Sequence, residues 1–306
     1  MSGPGGRQSA RSFSGESGEQ MMKPHISVCI PVYQGASTLV ATLRSVLASA
    51  RADFEVVIRD NGSTDGTSDV IAGFDDPRIR LIRSEGTLPL PANWCATVEQ
   101  ARGELIKVVC ADDLIHPDCL ATQATLLEDP SLALVACRRD FIDGNGRILT
   151  RNAGLPRLLG RRGVSEVARA TVRFGINPVG EPACAMFRRK DYDAIGGFDG
   201  SNVFVMDIDA WLRILTRGDM FGQPEAHAAF RIWTESFSNS HNRQQLDDHL
   251  RFLKQVANNP RYEIPAVLRH LAPAAAHVSW RAWTVRQRLW NRRSTAKARL
   301  NRSCPL

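Results

Sequence analysis

Four short apolar runs in the first 110 residues each lead into a turn, and a helical pattern separates each run from the next. The runs have the length of strands, and they lie at 26–33, 54–58, 78–83 and 105–109. The segments between them suit single helices at 39–47, 68–74 and 92–102. Strands that alternate with helices over short connections predict a parallel sheet with right-handed crossovers. The sequence therefore predicts an α/β protein with a mostly parallel central sheet flanked by helices.

The fourth run ends in two adjacent carboxylates, Asp112 and Asp113, before Pro117 starts another helical pattern. In an open α/β sheet, ligands bind at the carboxyl ends of the strands. Two ionised carboxylates at that place repel each other unless a cation lies between them and the substrate. Carboxylate oxygens suit Mg²⁺ or Mn²⁺. A solvated acidic turn with a helix N-cap is an equally good interpretation of this stretch alone.

The composition excludes several classes of protein. The hydrophobic content of 43% and charged content of 23% are ordinary for a globular protein. The seven cysteines form no CxxC pair, which argues against a disulfide framework and a zinc site and favours a reduced compartment. No apolar run approaches the roughly 18 residues of a membrane span. We expect residues 1–23 to be a disordered leader and the protein to be cytoplasmic.

Four motifs occur in a recognisable order: Pro31-Val32-Tyr33, the Gly/Asn/Asp-rich loop 60–67, Ala111-Asp112-Asp113 with Pro117, and Gly196-Gly197-Phe198-Asp199 followed by Asp207-x-Asp209-x-Trp211. With these motifs, residues 24–240 resemble a family 2 glycosyltransferase of the GT-A fold. The resemblance implies a nucleotide-binding half (24–117), an acceptor and catalytic half (118–240), and a helical basic C-terminal extension (241–306). A dinucleotide-binding fold is excluded, because no GxGxxG follows the first strand.

The resemblance also implies which residues hold a nucleoside-diphosphate sugar, most readily of the UDP type. Pro31 and Tyr33 should line the base and ribose pocket, Asp60 should hydrogen-bond the base or the ribose, and Asn93 should contact the base. Two structural alternatives stay open. Tyr33 could cover the core at the end of a strand, and Asn93 could be a helix N-cap.

Family members commonly read Asp-x-Asp-Asp where this chain has Cys110-Ala111-Asp112-Asp113. The resemblance makes Asp112 the ligand of a Mg²⁺ or Mn²⁺ ion and places Asp113 beside it at the nucleotide sugar. Cys110 replaces the first aspartate of the motif, which removes a contact expected to the ribose. The metal ligand itself is retained.

By resemblance, Asp207 is the catalytic base of an inverting sugar transfer, and Asp209 is the fallback. The alternative for Asp209 is a carboxylate that stabilises a helix N-terminus. Glu181 is a weaker candidate for contact with the acceptor. Many relatives carry Arg-x-His farther on, where this chain reads Arg231-Ile232-Trp233 and the next histidine is His241.

The net charge of +7 belongs to the C-terminal tail. Residues 269–306 hold nine Arg or Lys and no acidic residue, which leaves 30 basic and 32 acidic residues elsewhere. Three tryptophans fall within about a quarter turn of a helix over 276–302, which suits a helix lying on an anionic membrane. A solvated or bundled helix is the alternative. The near-neutral body offers no groove for nucleic acid. The tryptophans are Trp280, Trp283 and Trp290.

Together these features predict a metal-dependent inverting glycosyltransferase. It would move a sugar to a hydroxyl of a cell-surface glycan or a lipid-linked acceptor, at the inner face of the plasma membrane. Two alternatives remain: a non-catalytic relative that binds nucleotide sugars, and a peripheral membrane adaptor that acts through the tail.

Overall fold

The computed structural model describes residues 24–233 and 242–302, with the side chains of 242–243 and 291–302 left out. Ten strands form one sheet: β1 Ile26–Val32, β2 Phe54–Asp60, β3 Ile79–Arg83, β4 Leu105–Val108, β5 Leu114–Ile115, β6 Leu132–Asp143, β7 Ile148–Ala153, β8 Gly160–Arg162, β9 Ala185–Arg188 and β10 Asp219–Ile232. The helices are α1 Leu39–Leu47, α2 Thr67–Ala72, α3 Leu90–Glu99, α4 Cys119–Leu126, α5 Val164–Phe174, α6 Arg189–Ala194, α7 Met206–Ile214, α8 Asn242–Asn258 and α9 Ala266–Arg302. Short 3-10 turns lie at Pro182–Cys184, Gly200–Val205 and Pro260–Tyr262.

The strand order is β3-β2-β1-β4-β9-β6-β10-β5, with β7 on β6 and β8 on β10. The predicted strand–helix half is confirmed, because β3, β2, β1 and β4 are all parallel. In the second half β9 runs antiparallel to both β4 and β6, and β6 is parallel to β10. A single antiparallel strand thus joins the two halves into one continuous sheet.

The register of the parallel strands fixes where the polar loops lie. Val32 pairs with Asp60, and the backbone N–H of Val109 donates to Cys29 O over 2.9 Å. The carboxyl ends of β1, β2 and β4 therefore meet at one edge of the sheet. The loops that follow these strands carry Tyr33, the turn after Asp60 and the residues from Cys110 onward.

Two apolar layers cover the faces of the sheet. The amphipathic helix α1 buries Leu39 and Leu43 on one side, against β1 and β2. On the other side Trp211 of α7 is fully buried and packs on Phe187 with ring centroids 5.4 Å apart. Truncation of a buried tryptophan typically costs about 3–5 kcal/mol. Trp211 therefore anchors α7 against the sheet.

Two stretches differ from what the sequence predicts. The basic, glycine-bearing composition of residues 151–163 predicts a mobile loop, yet residues 151–153 belong to β7, and Gly160–Arg162 forms β8, which pairs with β10. The long strand β10 shows no clear alternation of apolar and polar residues, because Gly222 and Pro224 interrupt it. Its register with β6 shifts three times. All three strands depend on tertiary pairing, which a local pattern does not reveal.

The C-terminal extension is helical, as expected, but two of its three tryptophans pack on the protein. Trp290 is buried and, with Trp283, packs on Phe141, the ring centroids lying 5.5 and 5.6 Å from that ring. The expectation that these two side chains face a membrane is therefore wrong. Within the part of the chain that the structure describes, no helix is both long and apolar enough to span a bilayer. His241 and residues 1–23 lie outside the described residues.

Candidate active site

The loop after β4 gathers three potential metal ligands. One ligand atom from each of Cys110, Asp112 and Asp113 lies within 4.8 Å of the others. Asp113 is fully buried; its Oδ1 accepts the backbone N–H of Arg231 over 3.1 Å, while its Oδ2 is buried without a hydrogen-bond partner. Asp112 is partly exposed, and its Oδ2 accepts from Nε1 of Trp233 over 3.1 Å.

The electrostatics of this loop favour a bound cation. Burial raises the pKa of Asp113 well above its ordinary range, and the charge of Asp112 raises it further. Burial also raises the pKa of Asp112, although the hydrogen bond from Trp233 acts in the opposite direction. A buried carboxylate oxygen without a donor, next to a second carboxylate, is costly unless a positive charge compensates it. The two aspartates therefore fit a hard divalent ion.

Arg231 and Trp233, at the end of β10, hold the acidic loop in position. Besides the backbone bond to Asp113, Nε of Arg231 donates to Asp112 O over 2.8 Å. Its NH1 donates to the carbonyl oxygens of Asp143 and Gly144 at 3.2 and 3.0 Å. The guanidinium is thus occupied by backbone carbonyls. Sequence reasoning noticed Trp233 only as a departure from Arg-x-His and missed its contact with Asp112.

Asp207 is the second residue of α7, and its charge acts on Cys110 of the acidic loop. Its Oδ1 accepts the N–H of Ile208 over 2.7 Å, and its Oδ2 accepts Nδ2 of Asn177 over 2.9 Å. Burial raises the pKa of Asp207 from 3.8 to about 7, and the charge of Glu181 adds to this rise. The two hydrogen bonds oppose it. A carboxylate with a pKa near neutrality can accept a proton at physiological pH.

Glu181 acts electrostatically on both Asp207 and the acidic loop. Arg139, which is buried, forms an ion pair with it, and NH2 of Arg139 donates to Oε1 over 3.2 Å. Even so, the charge of Glu181 raises the pKa of both Asp207 and Asp113. The pKa of the Cys110 thiol is raised by burial and then by the charges of four carboxylates, those of Asp113, Asp112, Asp207 and Glu181. The structure therefore brings the predicted metal ligand and the predicted base together around Cys110.

Asp209 does not join this group. Its Oδ2 lies 2.7 Å from NH2 of Arg213, one turn along α7. Burial raises the pKa of Asp209, Arg213 lowers it, and Asp199 adds a smaller rise. The contacts of Asp209 are those of a helix carboxylate in an i,i+4 ion pair.

Asp60, the last residue of β2, is buried and holds the loop that follows it. Its Oδ1 accepts the N–H of Ser63 over 3.0 Å, and its Oδ2 accepts the Ser68 hydroxyl over 2.8 Å. An ionised carboxylate has about four lone-pair sites, so it can still accept a further hydrogen bond from a ligand.

The structure rules out the alternative structural roles of Tyr33 and Asn93. Tyr33 is 53% exposed at the sheet edge, so it does not cover the core. Asn93 lies inside α3 and is buried, and its Oδ1 accepts NH1 of Arg59 over 2.6 Å. Asn93 is therefore not an N-cap. Pro31 is buried within β1 and pairs with Arg59 in the neighbouring strand.

Asn61 is a second residue that sequence reasoning missed. Its Nδ2 donates to the carbonyl oxygen of Leu88, and its Oδ1 accepts the backbone N–H of Leu88, each over 2.9 Å. It thereby ties the loop after β2 to the segment before α3. Its position directly after Asp60, at the end of the second strand, was the sequence feature that could have pointed to this role.

The sequence profile of glycosyl transferase family 2 matches residues 27–196. The chain belongs to this family. An uncharacterized protein of Mycobacterium tuberculosis is 35% identical to this family member over 204 residues, 64% of this chain and 63% of its own length. The succinoglycan biosynthesis protein ExoO of Rhizobium meliloti is 29% identical over 126 residues, 41% of this chain and 36% of its own length. The aligned part thus spans less than two thirds of both relatives.

Two solved structures share the fold of this family 2 protein. S. aureus TarS 1–349, in complex with UDP-GlcNAc, superposes with a TM-score of 0.61 at 15% identity, over 82% of this chain and 71% of that one. The mannosyltransferase PcManGT of Pyrobaculum calidifontis, in complex with GDP-Man and Mn²⁺, superposes with a TM-score of 0.62 at 19% identity. The match covers 91% of this chain and 81% of that one. The predicted GT-A fold is confirmed.

Proposed function

We propose that this protein transfers one sugar from a nucleoside-diphosphate donor, of the UDP type, to a hydroxyl group of a glycan or lipid-linked acceptor, with inversion. The observation that carries the proposal is Asp207, a carboxylate whose pKa is raised to about 7 and whose charge acts on Cys110 in the acidic loop. Membership of the family supports sugar transfer. The name of ExoO, a protein of succinoglycan biosynthesis, supports a glycan product.

The proposed chemistry is a single displacement. Asp207 takes the proton of the acceptor hydroxyl as that oxygen attacks the anomeric carbon. The bond from this carbon to the diphosphate oxygen breaks on the opposite face, so the configuration inverts and the nucleoside diphosphate leaves. Asn177 and the N–H of Ile208 orient the carboxylate toward the acceptor.

Asp112, with Asp113 beside it, would hold a Mg²⁺ or Mn²⁺ ion at the diphosphate. Such an ion supplies charge neutralisation for the leaving group. The Mn²⁺ present with GDP-Man in the PcManGT structure supports this part of the proposal. Trp233 and Arg231 hold Asp112 in place through their hydrogen bonds to its carboxylate and its backbone carbonyl.

The donor base would lie against Tyr33, above Pro31, with Asp60 and Asn93 supporting the pocket. Exposure of the Tyr33 ring at the sheet edge makes it available for contact with a base or ribose. The complex of TarS with UDP-GlcNAc supports a uridine donor, whereas that of PcManGT with GDP-Man shows that the fold accommodates guanosine. Glu181 would act on the acceptor side, chiefly through its charge on Asp207. The proposal includes a cytoplasmic location, which the cysteine usage supports.

A non-catalytic relative that only binds nucleotide sugars is the second candidate. It is favoured by the replacement of a motif aspartate with Cys110 and by Trp233 in the place of a histidine. Both candidates require nucleotide binding, and only the first requires turnover.

Titration calorimetry of UDP, GDP and dTDP, with and without Mn²⁺, tests the shared step. We expect Mn²⁺-dependent binding of one nucleotide, lost in Asp112→Ala and kept in Asp75→Ala, which removes an exposed aspartate elsewhere. Release of nucleoside diphosphate from donor sugars then tests turnover, which Asp207→Asn should abolish while binding persists. Absence of nucleotide binding by the folded protein would refute both candidates, and binding without release would favour the second.

A further inference from the structure

The outer side of α9 carries a continuous line of exposed aliphatic side chains. They recur at intervals of four, seven, seven and four residues, so they lie on one face of the helix. Their exposed fractions are between 52% and 68%, although large aliphatic side chains in a folded protein are usually covered. This outer stripe consists of Val267, Leu271, Val278, Val285 and Leu289.

The opposite side of α9 is already used by the protein. Ala272 and Ala276 are buried, and a Cβ at Gly175 would collide with the backbone of Ala276, so α9 approaches the end of α5 closely. Farther along, Trp290 packs on Phe141. The helix therefore has two apolar sides, and only the inner one contributes to the folding of the domain.

The outer stripe is bordered by positive charge. Residues 266–290 contain four arginines and no carboxylate. On a helical wheel, Arg281 and Arg288 lie on one flank of the stripe and Arg286 lies on the other. All three are exposed. An aliphatic stripe with arginines on both flanks matches a surface that is apolar below and anionic above.

We propose that the outer stripe of α9 docks on a membrane surface containing anionic lipids. A second copy of the chain fits poorly, because face-to-face pairing would bring Arg281 and Arg288 of both copies together without a nearby carboxylate on the helix. A nucleic acid would leave the aliphatic side chains without a partner. A bilayer interface accepts both groups, since acyl chains cover the aliphatic residues and lipid phosphates attract the arginines.

The same helix reaches the edge of the candidate active site. Trp290 belongs to the apolar cluster that contains Phe141 and Ile232. Ile232 lies between Arg231 and Trp233, the two residues that hold Asp112. If the proposed transfer reaction is correct, docking through α9 would keep the site close to an acceptor at the lipid surface. The docking itself does not depend on that reaction.

Vesicle co-sedimentation of the full chain tests the proposal. The lipids are phosphatidylcholine alone and a mixture containing phosphatidylglycerol. We expect binding to the mixed vesicles only, and a loss of at least about tenfold in affinity for the triple variant Val278→Ser, Val285→Ser, Leu289→Ser. The variant Arg281→Gln, Arg288→Gln should weaken binding and reduce its salt dependence. As a matched control, Ile148→Ser with Ile176→Ser changes two exposed aliphatic residues outside the stripe and should bind as wild type does.

Three results would overturn the proposal. These are equal binding to neutral and anionic vesicles, undiminished binding by the triple-serine variant, or self-association in sedimentation velocity that the triple variant abolishes. Melting temperature and nucleotide binding, measured on every variant, should match the wild type. A loss confined to vesicle binding separates this proposal from the proposed function.

Discussion

Asn177 donates from Nδ2 to Oδ2 of Asp207 over 2.9 Å, and its own Oδ1 accepts the backbone N–H groups of Val179 and Gly180 at 3.0 Å each. Because Oδ1 is fixed by two backbone donors, only the NH₂ group can face Asp207. The amide therefore always presents a donor to the carboxylate and favours its ionised form.

Two substitutions beside Asp207 should move the acid limb of the pH–rate profile in opposite directions. Asn177→Ala removes a hydrogen bond that lowers the pKa of Asp207, so the midpoint of the acid limb should move from about pH 7 to higher pH by about one unit. Glu181→Gln removes a charge that raises this pKa, so the limb should fall. The profile of kcat/KM against pH measures both shifts. Asp209→Asn is the control and should leave the limb in place, and shifts in the same direction for Asn177→Ala and Glu181→Gln would contradict the role of Asp207.

Asp207→Asn should stabilise the protein while it abolishes turnover. The pKa of Asp207 is about 7 in the folded state and near 3.8 in the unfolded state. The folded protein therefore gains its full stability from a protonated Asp207 below pH 3.8, and it loses that stability as the pH rises to 7 and above. Asparagine removes this loss. We expect a gain on the order of 1 kcal/mol at pH 8, since partial exposure of Asp207 moderates the effect.

Calorimetric unfolding of wild type and Asp207→Asn at pH 5 and pH 8 measures this difference. The stability gained by the variant should be larger at pH 8. A gain of equal size at both pH values would show that ionisation of Asp207 is not its cause.

Trp233→Phe should weaken metal binding without loosening the fold. Phenylalanine keeps an aromatic ring but removes the Nε1 hydrogen bond to Asp112. Residues that orient a metal ligand typically contribute about tenfold or more to affinity. Manganese titration in the presence of nucleotide measures the change, and Trp94→Phe, at a tryptophan on α3, is the matched control. Unchanged affinity would mean that Asp112 does not hold the metal or does not depend on Trp233.

Cys110→Asp should make the folded protein more dependent on a divalent ion. A third carboxylate beside Asp112 and Asp113 increases the repulsion in the loop, so the melting temperature without metal should fall. Addition of Mn²⁺ should raise the melting temperature by more than it does in wild type. Cys110→Ser, which adds no charge, should follow the wild type. Equal metal-induced shifts in Cys110→Asp and Cys110→Ser would show that position 110 does not face the ion.

The strand–helix half could be predicted from the sequence because its signals are local. Buried strands such as 26–33 are apolar runs, and Pro31 and Gly35 mark their ends. The parallel order of β1, β2 and β4 follows from chain connectivity, so the meeting of the loops after Asp60 and at Asp112 was predictable too. The roles of individual site residues came from the motif resemblance and remain proposals.

Side-chain pairing across distant segments was not predictable. The bond of Asn177 to Asp207 spans 30 residues, and that of Trp233 to Asp112 spans 121. No periodicity or motif encodes such contacts. The tail illustrates the same point: a helical wheel groups Trp283 with Trp290, yet only the fold shows that these rings meet Phe141.

The packing of Trp290 on Phe141 means that the C-terminal helix seals a hydrophobic seam at the edge of the catalytic sheet. Removal of α9 would expose this apolar contact to water beside Ile232. Ile232 is the neighbour in sequence of Arg231 and Trp233, which hold Asp112 in place. Inactivity of such a truncated protein would then reflect a distorted acidic loop, so membrane attachment and catalysis must be separated by surface substitutions, with the helix left in place.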